Sequence, residues 1–212
     1  MSLLLRDSWQ SAWQLAVDLT VEELQGADLQ ERCEKSGAVW RPEDGVAEIT
    51  FLNRAYWVRP PEFEVALSEG EGEVPLTEKV LILHYLKTAS GIPLSGEWIT
   101  FAQVPGGEIY LSVFRARSID RLVRAFDGRE TTLMEAARSM GGREAEYGEM
   151  SVQVRAFPRV PVTLILWLGD DEIPSSGNLL FDATVTEYLP MEDMVVLAGM
   201  TVSRLCKYDK GG

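Results

Sequence analysis

The apolar positions of the chain are densest over residues 160–168, where nearly every side chain is hydrophobic. Such a run is typical of a strand buried on both faces. It leads directly into Asp170, Asp171 and Glu172, and the span 160–203 holds seven carboxylates but no Lys or Arg. Crowded carboxylates need water, a cation or a ligand, so this segment is the first candidate for a site.

Apolar residues recur at three- and four-residue spacing in several other segments, which predicts helices. Thr77 and Ser118 are candidate N-caps, Thr132 with Glu135 matches a capping box, and Pro190 suits a first helical position. The predicted helices cover residues 8–34, 77–86, 118–126, 132–140 and 190–207.

Shorter apolar runs separated by Gly and Pro predict strands. The expected strands are residues 37–41, 47–52, 98–103, 109–114, 151–157 and 160–168, with hairpin turns at 42–45 and 104–107. Residues 56–58 either extend the second strand or start a third. Hairpins mixed with helices predict an α+β fold, in which a mixed or antiparallel sheet packs against several helices. We expect a single domain over residues 1–212, with one weak boundary at the acidic, Gly-bearing segment 67–74.

Composition narrows the class of protein. The chain has 212 residues and a formal net charge of −13, which argues against a nucleic-acid binder or a protein of anionic membrane surfaces. The first ten residues, MSLLLRDSWQ, contain too short an apolar run for a signal peptide or a membrane span. Two cysteines, Cys33 and Cys206, indicate a reducing compartment, and we expect a cytoplasmic protein.

The acids at the end of the apolar strand admit two interpretations. Asp170, Asp171 and Glu172 could bind Mg²⁺ or Mn²⁺ beside Trp167, with Asp182 or Glu187 folding back to complete the ligands. Alternatively, they form a solvated loop that ends the strand, since adjacent acids alone are a weak signal.

Arginines concentrate in the middle of the chain, with seven in residues 115–143. They could neutralise the acidic C-terminal third across a tertiary contact. Alternatively, Arg117, Arg121 and Arg124 lie on one face of a helix and could bind a phosphate or carboxylate.

Few side chains suggest a catalytic nucleophile or base. His84, the one histidine, falls on a polar stripe with Thr77 and Thr88, where an ordinary hydrogen-bonded histidine is favoured over a general base. We expect Cys33 to be partly exposed and Cys206 to lie in a last helical turn, which disfavours a thiolate. Two cysteines cannot hold a four-cysteine iron–sulfur cluster within one chain.

Three motifs in order resemble a prokaryotic family called domain of unknown function 3786. They are PLTEKVLILHYL at 75–86, GEWITFAQVPGGEIY at 96–110, and the stretch at 157–193 that begins FPRVPV and contains DDEIP. The resemblance implies no assigned activity. It does imply an anaerobic bacterium or archaeon, where some family members are fused to a small iron–sulfur domain. The cysteines of that domain are missing here, and Ile173 replaces an aromatic residue of the family pattern.

Three functions therefore stay open. The first is a non-enzymatic accessory or ligand-binding domain that works beside an iron–sulfur or corrinoid protein partner. The second is a divalent-metal-dependent enzyme that uses Asp170, Asp171 and Glu172. The third is an interaction module whose acidic C-terminal third binds a basic partner protein. The sequence indicates neither a cofactor nor an oligomeric state.

Overall fold

The computed structural model describes the backbone of residues 3–208 and the side chains of residues 10–208. By its internal contacts the chain divides into two compact units, residues 1–92 and 93–212. The division therefore follows Ile92, whereas the predicted weak boundary at 67–74 lies inside the first unit. No helix among the described residues is both long and apolar enough to cross a bilayer.

The first unit combines a four-stranded antiparallel sheet with helices. Its elements are α1 (Leu3–Leu24), α2 (Leu29–Ser36), β1 (Val39–Arg41), β2 (Val46–Phe51), β3 (Arg54–Arg59), β4 (Glu64–Leu67) and α3 (Leu76–Thr88). The sheet order is β1-β2-β3-β4, a meander in which each strand pairs with the next. Leu52 and Asn53 form the two-residue turn between β2 and β3, and both have positive φ, as a type I′ hairpin turn requires.

Helix α3 packs against α1 and α2, and most of its apolar residues are buried. Arg32 of α2 holds the end of α3: its guanidinium donates to the Leu86 carbonyl from Nε at 2.9 Å and to the Ala89 carbonyl from Nη2. A cation at a helix C-terminus satisfies carbonyls that have no partner within the helix. This contact joins the two helices.

The second unit contains a five-stranded sheet and the remaining helices. Its elements are β5 (Trp98–Thr100), a 3-10 turn (Phe101–Gln103), α4 (Gly107–Arg117), α5 (Ile119–Phe126), α6 (Glu130–Ser139), β6 (Arg143–Glu144), β7 (Met150–Phe157), β8 (Val160–Trp167), β9 (Ser176–Asp182), a second 3-10 turn (Ala183–Glu187) and α7 (Met191–Tyr208). The sheet order is β5-β9-β8-β7-β6, and every neighbouring pair is antiparallel.

Helices cover one face of this second sheet. Phe114 of α4 lies 6.2 Å from Phe181 of β9, measured between ring centroids. Leu122 of α5 lies beside Gly177 of β9, and α6 contacts β7. Because side chains alternate along a strand, the other face carries the remaining set of residues, and that set is largely polar. The polar face is where the candidate site lies.

The α+β prediction, with antiparallel strands and hairpins, is confirmed, but several predicted elements are wrong. Residues 109–114, predicted as a strand, belong to helix α4. Their β-branched and aromatic content resembles a strand, but Phe114 stacks on Phe101 with ring centroids 4.2 Å apart, and this packing favours a helix. Strands β4, β6 and β9 were missed, and the predicted helix 8–34 is two helices. The second of these begins at Leu29, directly after Asp28, whose side chain caps it.

The predicted helix caps also need correction. Pro75 rather than Thr77 precedes α3, and α6 begins at Glu130, so Thr132 and Glu135 lie inside it. The Ser118 hydroxyl donates to the Phe114 carbonyl at 2.6 Å and therefore ends α4 instead of capping α5. Among these predicted caps, Ser118 does lie at a helix end, but a hydroxyl can serve either terminus.

Candidate ligand-binding cleft

A cleft of about 640 Å³ lies on the polar face of the second unit's sheet, and we call it the sheet cleft. Its floor is formed by Arg143, Gln153, Arg155 and Pro161, and its walls by residues of the segments 94–98 and 144–147. This volume is in the range of ordinary small-molecule sites.

Strand register explains why the floor is polar. Gln153 of β7 pairs with Arg143 of β6 on one side and with Thr163 of β8 on the other, so these three side chains share a face. Arg155 lies two residues farther along β7, about 7 Å away on the same face. Its partner in register is Pro161, and the pairing is irregular between Arg155 and Phe157. A proline has no N–H to donate to the ladder, so it suits such an irregularity, and β-bulges often flank binding sites.

A hydrogen-bond chain fixes the floor side chains. The Arg143 guanidinium donates to Gln153 Oε1 from Nε at 3.2 Å and from Nη2 at 2.9 Å. Gln153 Nε2 in turn donates to Thr163 Oγ1 at 3.3 Å. Thr163 is fully buried, so the chain is anchored in the sheet. The position of Arg143 is thus set before any ligand binds.

Two aromatic residues form a wall of the cleft. The rings of Trp98 and Tyr147 meet at a centroid distance of 6.4 Å and an angle of 63°. Tyr147 lies in the loop between β6 and β7, and Ser151 holds this loop: Ser151 Oγ accepts from the Tyr147 N–H at 2.9 Å and donates to the Ala145 carbonyl at 2.8 Å. The loop that presents the Tyr147 ring is therefore ordered by the strand that follows it.

Several donors of the cleft have no protein acceptor. Among the described residues, the Arg155 guanidinium, Trp98 Nε1 and Tyr147 Oη have no hydrogen-bond partner and no ion pair. Each of these groups can reach water, since no buried side-chain polar atom in the described part of the chain is unsatisfied. The cleft is consequently rich in donors, which favours a ligand rich in acceptors.

Asp182 closes one end of the cleft and is only 3 % exposed. Its carboxylate accepts from Ser95 N at 3.1 Å, Ser95 Oγ at 3.0 Å, Gly96 N at 2.8 Å, Thr184 N at 3.0 Å and Thr184 Oγ1 at 2.7 Å. Burial acts to raise the pKa of Asp182, but hydrogen bonds from Thr184, Gly96 and Ser95 outweigh it, and the pKa is lowered. A carboxylate held in this way anchors the 95–96 wall and is a poor general base.

The family described as Domain of unknown function (DUF3786) matches residues 28–204, which include every residue of the cleft. The chain belongs to the DUF3786 family. Neither the curated proteins nor the solved structures give a significant match. The motif at 96–110, by which the sequence resembles this family, supplies Trp98 to the cleft wall.

The acids of this DUF3786 protein at 170–172 lie outside the cleft, exposed in the loop between β8 and β9. Asp170 Oδ1 accepts from the Glu172 and Ile173 N–H groups, both at 2.8 Å, and these bonds lower the Asp170 pKa. No group of three or more His, Cys, Asp or Glu side chains in the described part of the chain is arranged to hold a metal ion. Metal binding by Asp170, Asp171 and Glu172 stays a prediction.

Trp167 lies close to the loop acids along the chain. Arg117 and Arg121 of this DUF3786 protein lie elsewhere, in two helices. Trp167 is exposed at the end of β8, beside Gly148 of the β6–β7 loop. Arg117 is in α4, whereas Arg121 is in α5 and donates to Ser203 Oγ at 2.8 Å. The predicted single helical face of Arg117, Arg121 and Arg124 is wrong, because α4 ends before Ser118. Ligand binding by Trp167, Arg117 or Arg121 stays a prediction.

The remaining reactive side chains lie in the first unit or in the last helix. His84 is half-buried on α3, and Cys206 is half-buried on α7. The expectation that Cys33 is partly exposed is wrong: Cys33 is buried, and burial, with Glu34 adding to it, raises the pKa of its thiol to about 11. A protonated, enclosed thiol is neither a nucleophile nor a metal ligand.

Sequence reasoning found part of the cleft and missed the rest. Arg143 was in the recognised basic segment and Trp98 in a recognised motif. Gln153, Arg155 and Tyr147 gave no signal of their own, because strand register alone brings them together. The alternation of Ser151, Gln153 and Arg155 with apolar residues could have marked one face of β7 as polar.

Proposed function

We propose that this DUF3786 protein is a non-enzymatic accessory protein that binds a small molecule in the sheet cleft. The observation that carries the proposal is the cleft floor, where Gln153 orients Arg143 beside Arg155, between the Trp98 and Tyr147 wall and the anchored Asp182. Preset polar groups beside aromatic surface are characteristic of binding sites. Asp182 and Cys33 are the buried groups that could act as a base and as a nucleophile. The lowered pKa of Asp182 disfavours it as a base, and the raised pKa of Cys33 disfavours it as a nucleophile.

We further propose that the protein works in the cytoplasm of an anaerobe, beside an iron–sulfur or corrinoid protein. Family resemblance supports this setting, since some members are fused to a small iron–sulfur domain. With Cys33 buried, this chain offers no cluster ligands of its own at that position, so a cluster would belong to the partner. Mixing the protein with a purified ferredoxin and a purified corrinoid protein, followed by size-exclusion chromatography at about 100 µM, tests the setting. Separate elution of all three would contradict it.

Ligand binding is tested by a thermal-shift screen of the full chain. The compound set should contain neutral, cationic and anionic metabolites, and calorimetry should follow for any compound that raises Tm. We expect Arg155→Ala and Tyr147→Ala to weaken the binding of a cleft ligand. Arg138→Ala, which removes an exposed arginine of α6 outside the cleft, should not. A ligand that binds all three variants as tightly as wild type does not occupy the cleft, and a silent screen would reject the proposed function.

A further inference from the structure

We infer that the ligand of the sheet cleft is a planar aromatic anion, a ring that bears a carboxylate or a phosphate group. This inference rests on the proposed function and adds the chemical class of the ligand. Two independent features of the cleft support it: the arginines of the floor and the aromatic residues of the wall.

The arginines define the anionic end of the ligand. A guanidinium has five N–H donors, and Arg143 directs only its Nε and one Nη2 hydrogen to Gln153 Oε1. Arg155 directs none to a protein acceptor among the described residues. Neither arginine has an ion pair in the described part of the chain, so both retain donors in a geometry that suits carboxylate and phosphate oxygens.

The carboxylates of the cleft do not neutralise this pair. Asp182 already accepts five hydrogen bonds from its own wall. Glu144 follows Arg143 along β6, and Glu146 lies in the exposed β6–β7 loop; both line the cleft. Neither forms an ion pair with Arg143 or Arg155 in the described part of the chain. Since the lining holds three acids and two arginines, the donors that these arginines retain, and not a net positive charge, favour an anionic group on the ligand.

The aromatic wall defines the planar part of the ligand. Trp98 and Tyr147 meet edge to face at 63°, a contact that uses a face of one ring and only the edge of the other. Trp98 Nε1 and Tyr147 Oη also lack acceptors among the described residues. An aromatic ring with oxygen acceptors can use both the ring faces and these donors, whereas an aliphatic anion can use the donors alone.

Calorimetry with matched probes tests the class. The phosphate set is AMP, adenosine, which lacks the anion, and ribose phosphate, which lacks the base. The carboxylate set is nicotinate and its neutral amide. We expect AMP or nicotinate to bind, and the compounds of the same set that lack the ring or the anion to bind at least about tenfold more weakly. The set that responds identifies phosphate or carboxylate as the anion.

Variants assign the binding to the cleft. Arg155→Ala should weaken the bound probe about tenfold, Arg155→Lys should recover part of the loss, and Arg138→Ala should leave affinity unchanged. Tyr147→Ala should weaken AMP or nicotinate but not ribose phosphate. Each variant should melt within about 2 °C of wild type, which excludes unfolding as the cause.

The inference is overturned if adenosine or the neutral amide binds as tightly as its anion, if ribose phosphate binds as tightly as AMP, or if all probes are silent up to about 10 mM. These failures differ from failure of the proposed function. A neutral or aliphatic compound from the thermal-shift screen that binds wild type but not Arg155→Ala or Tyr147→Ala would reject the class and keep the function. Silence in both experiments would reject both.

Discussion

Gln153 orients Arg143: its Oε1 accepts from both Nε at 3.2 Å and Nη2 at 2.9 Å of that guanidinium. The other end of the same amide donates to Thr163 Oγ1 at 3.3 Å, so its oxygen and nitrogen have distinct partners. A neutral amide thus holds a cation on the cleft floor without cancelling its charge. A carboxylate in the same place would hold the arginine and neutralise it.

This relationship predicts the effect of Gln153→Glu. The new carboxylate should pair with Arg143 and repel an anionic ligand, so the affinity for AMP or nicotinate should fall about tenfold. The free energy of unfolding should change by less than about 1 kcal/mol, since the new ion pair replaces existing hydrogen bonds. Calorimetry and urea unfolding measure the two quantities. Gln10→Glu, an equal charge change at an exposed position of α1, is the control; equal affinities for both variants would show that the floor charge does not matter.

Asp182→Asn should destabilise the second unit. The side-chain oxygen of the variant can take the place of Oδ1, which accepts from Ser95 and Thr184, and its NH₂ group then faces the Gly96 N–H that Oδ2 accepted. A buried donor left without an acceptor costs about 1–3 kcal/mol. Urea unfolding followed by circular dichroism measures the loss. Asp171→Asn, an exposed acid of the β8–β9 loop, should change stability by less than about 0.5 kcal/mol. Equal midpoints for the two variants would contradict the anchoring role of Asp182.

The same carboxylate predicts how stability depends on pH. The pKa of Asp182 is lower in the folded protein than its ordinary value of about 3.9, so the unfolded chain binds the proton first as pH falls. The stabilisation is complete above the unfolded pKa and is lost as pH decreases through the folded pKa. Unfolding midpoints should therefore fall between about pH 5 and pH 2, and less steeply in Asp182→Asn. If the unfolding midpoints of wild type and variant fall in parallel with pH, other acids, such as Glu48 beside Arg41, set the pH dependence of stability.

Local pattern predicted the buried elements better than the amphipathic ones. The two longest central strands, β7 and β8, and the ends of α7 follow directly from continuous apolar runs and from Pro190. Strand β9 was missed because its sequence, SGNLLFD, opens with turn-forming residues and becomes a strand through pairing with β5 and β8. Helix α4 was misread because its apolar residues satisfy a strand pattern almost as well as a helical one.

The cleft was harder to predict than the fold because it depends on register. Gln153 and Arg143 are ten residues apart in sequence and face each other only when β6 and β7 pair as they do. The acids at 170–172 are conspicuous in composition, yet Asp170 accepts from two backbone N–H groups of its own loop. Composition locates charge along the chain, and pairing of strands decides which charges meet.

Gly107 begins the misread helix and should not tolerate a side chain. A Cβ at this position would lie 2.1 Å from the Phe101 carbonyl oxygen, closer than any packed contact allows. Gly107→Ala should therefore shift the 3-10 turn or α4 and cost about 2 kcal/mol or more. Gly26→Ala is the control, since nothing lies within 4 Å of a Cβ there, and it should be within about 0.5 kcal/mol of wild type. Thermal melts of both variants measure the loss of stability. Equal Tm values would refute the close approach of residue 107 to the Phe101 carbonyl oxygen.

Metal titration tests the acids of the β8–β9 loop. The metal hypothesis for Asp170, Asp171 and Glu172 requires that Mg²⁺ or Mn²⁺ release heat with wild type and less heat with Asp171→Asn. The structure favours equal heats, because Asp170 Oδ1 already accepts two backbone N–H groups and all three side chains are exposed. We therefore expect Asp171→Asn and wild type to give the same isotherm up to about 10 mM metal. A difference between them would show that the loop rearranges to bind the ion, and the divalent-metal-dependent enzyme would then be the stronger candidate.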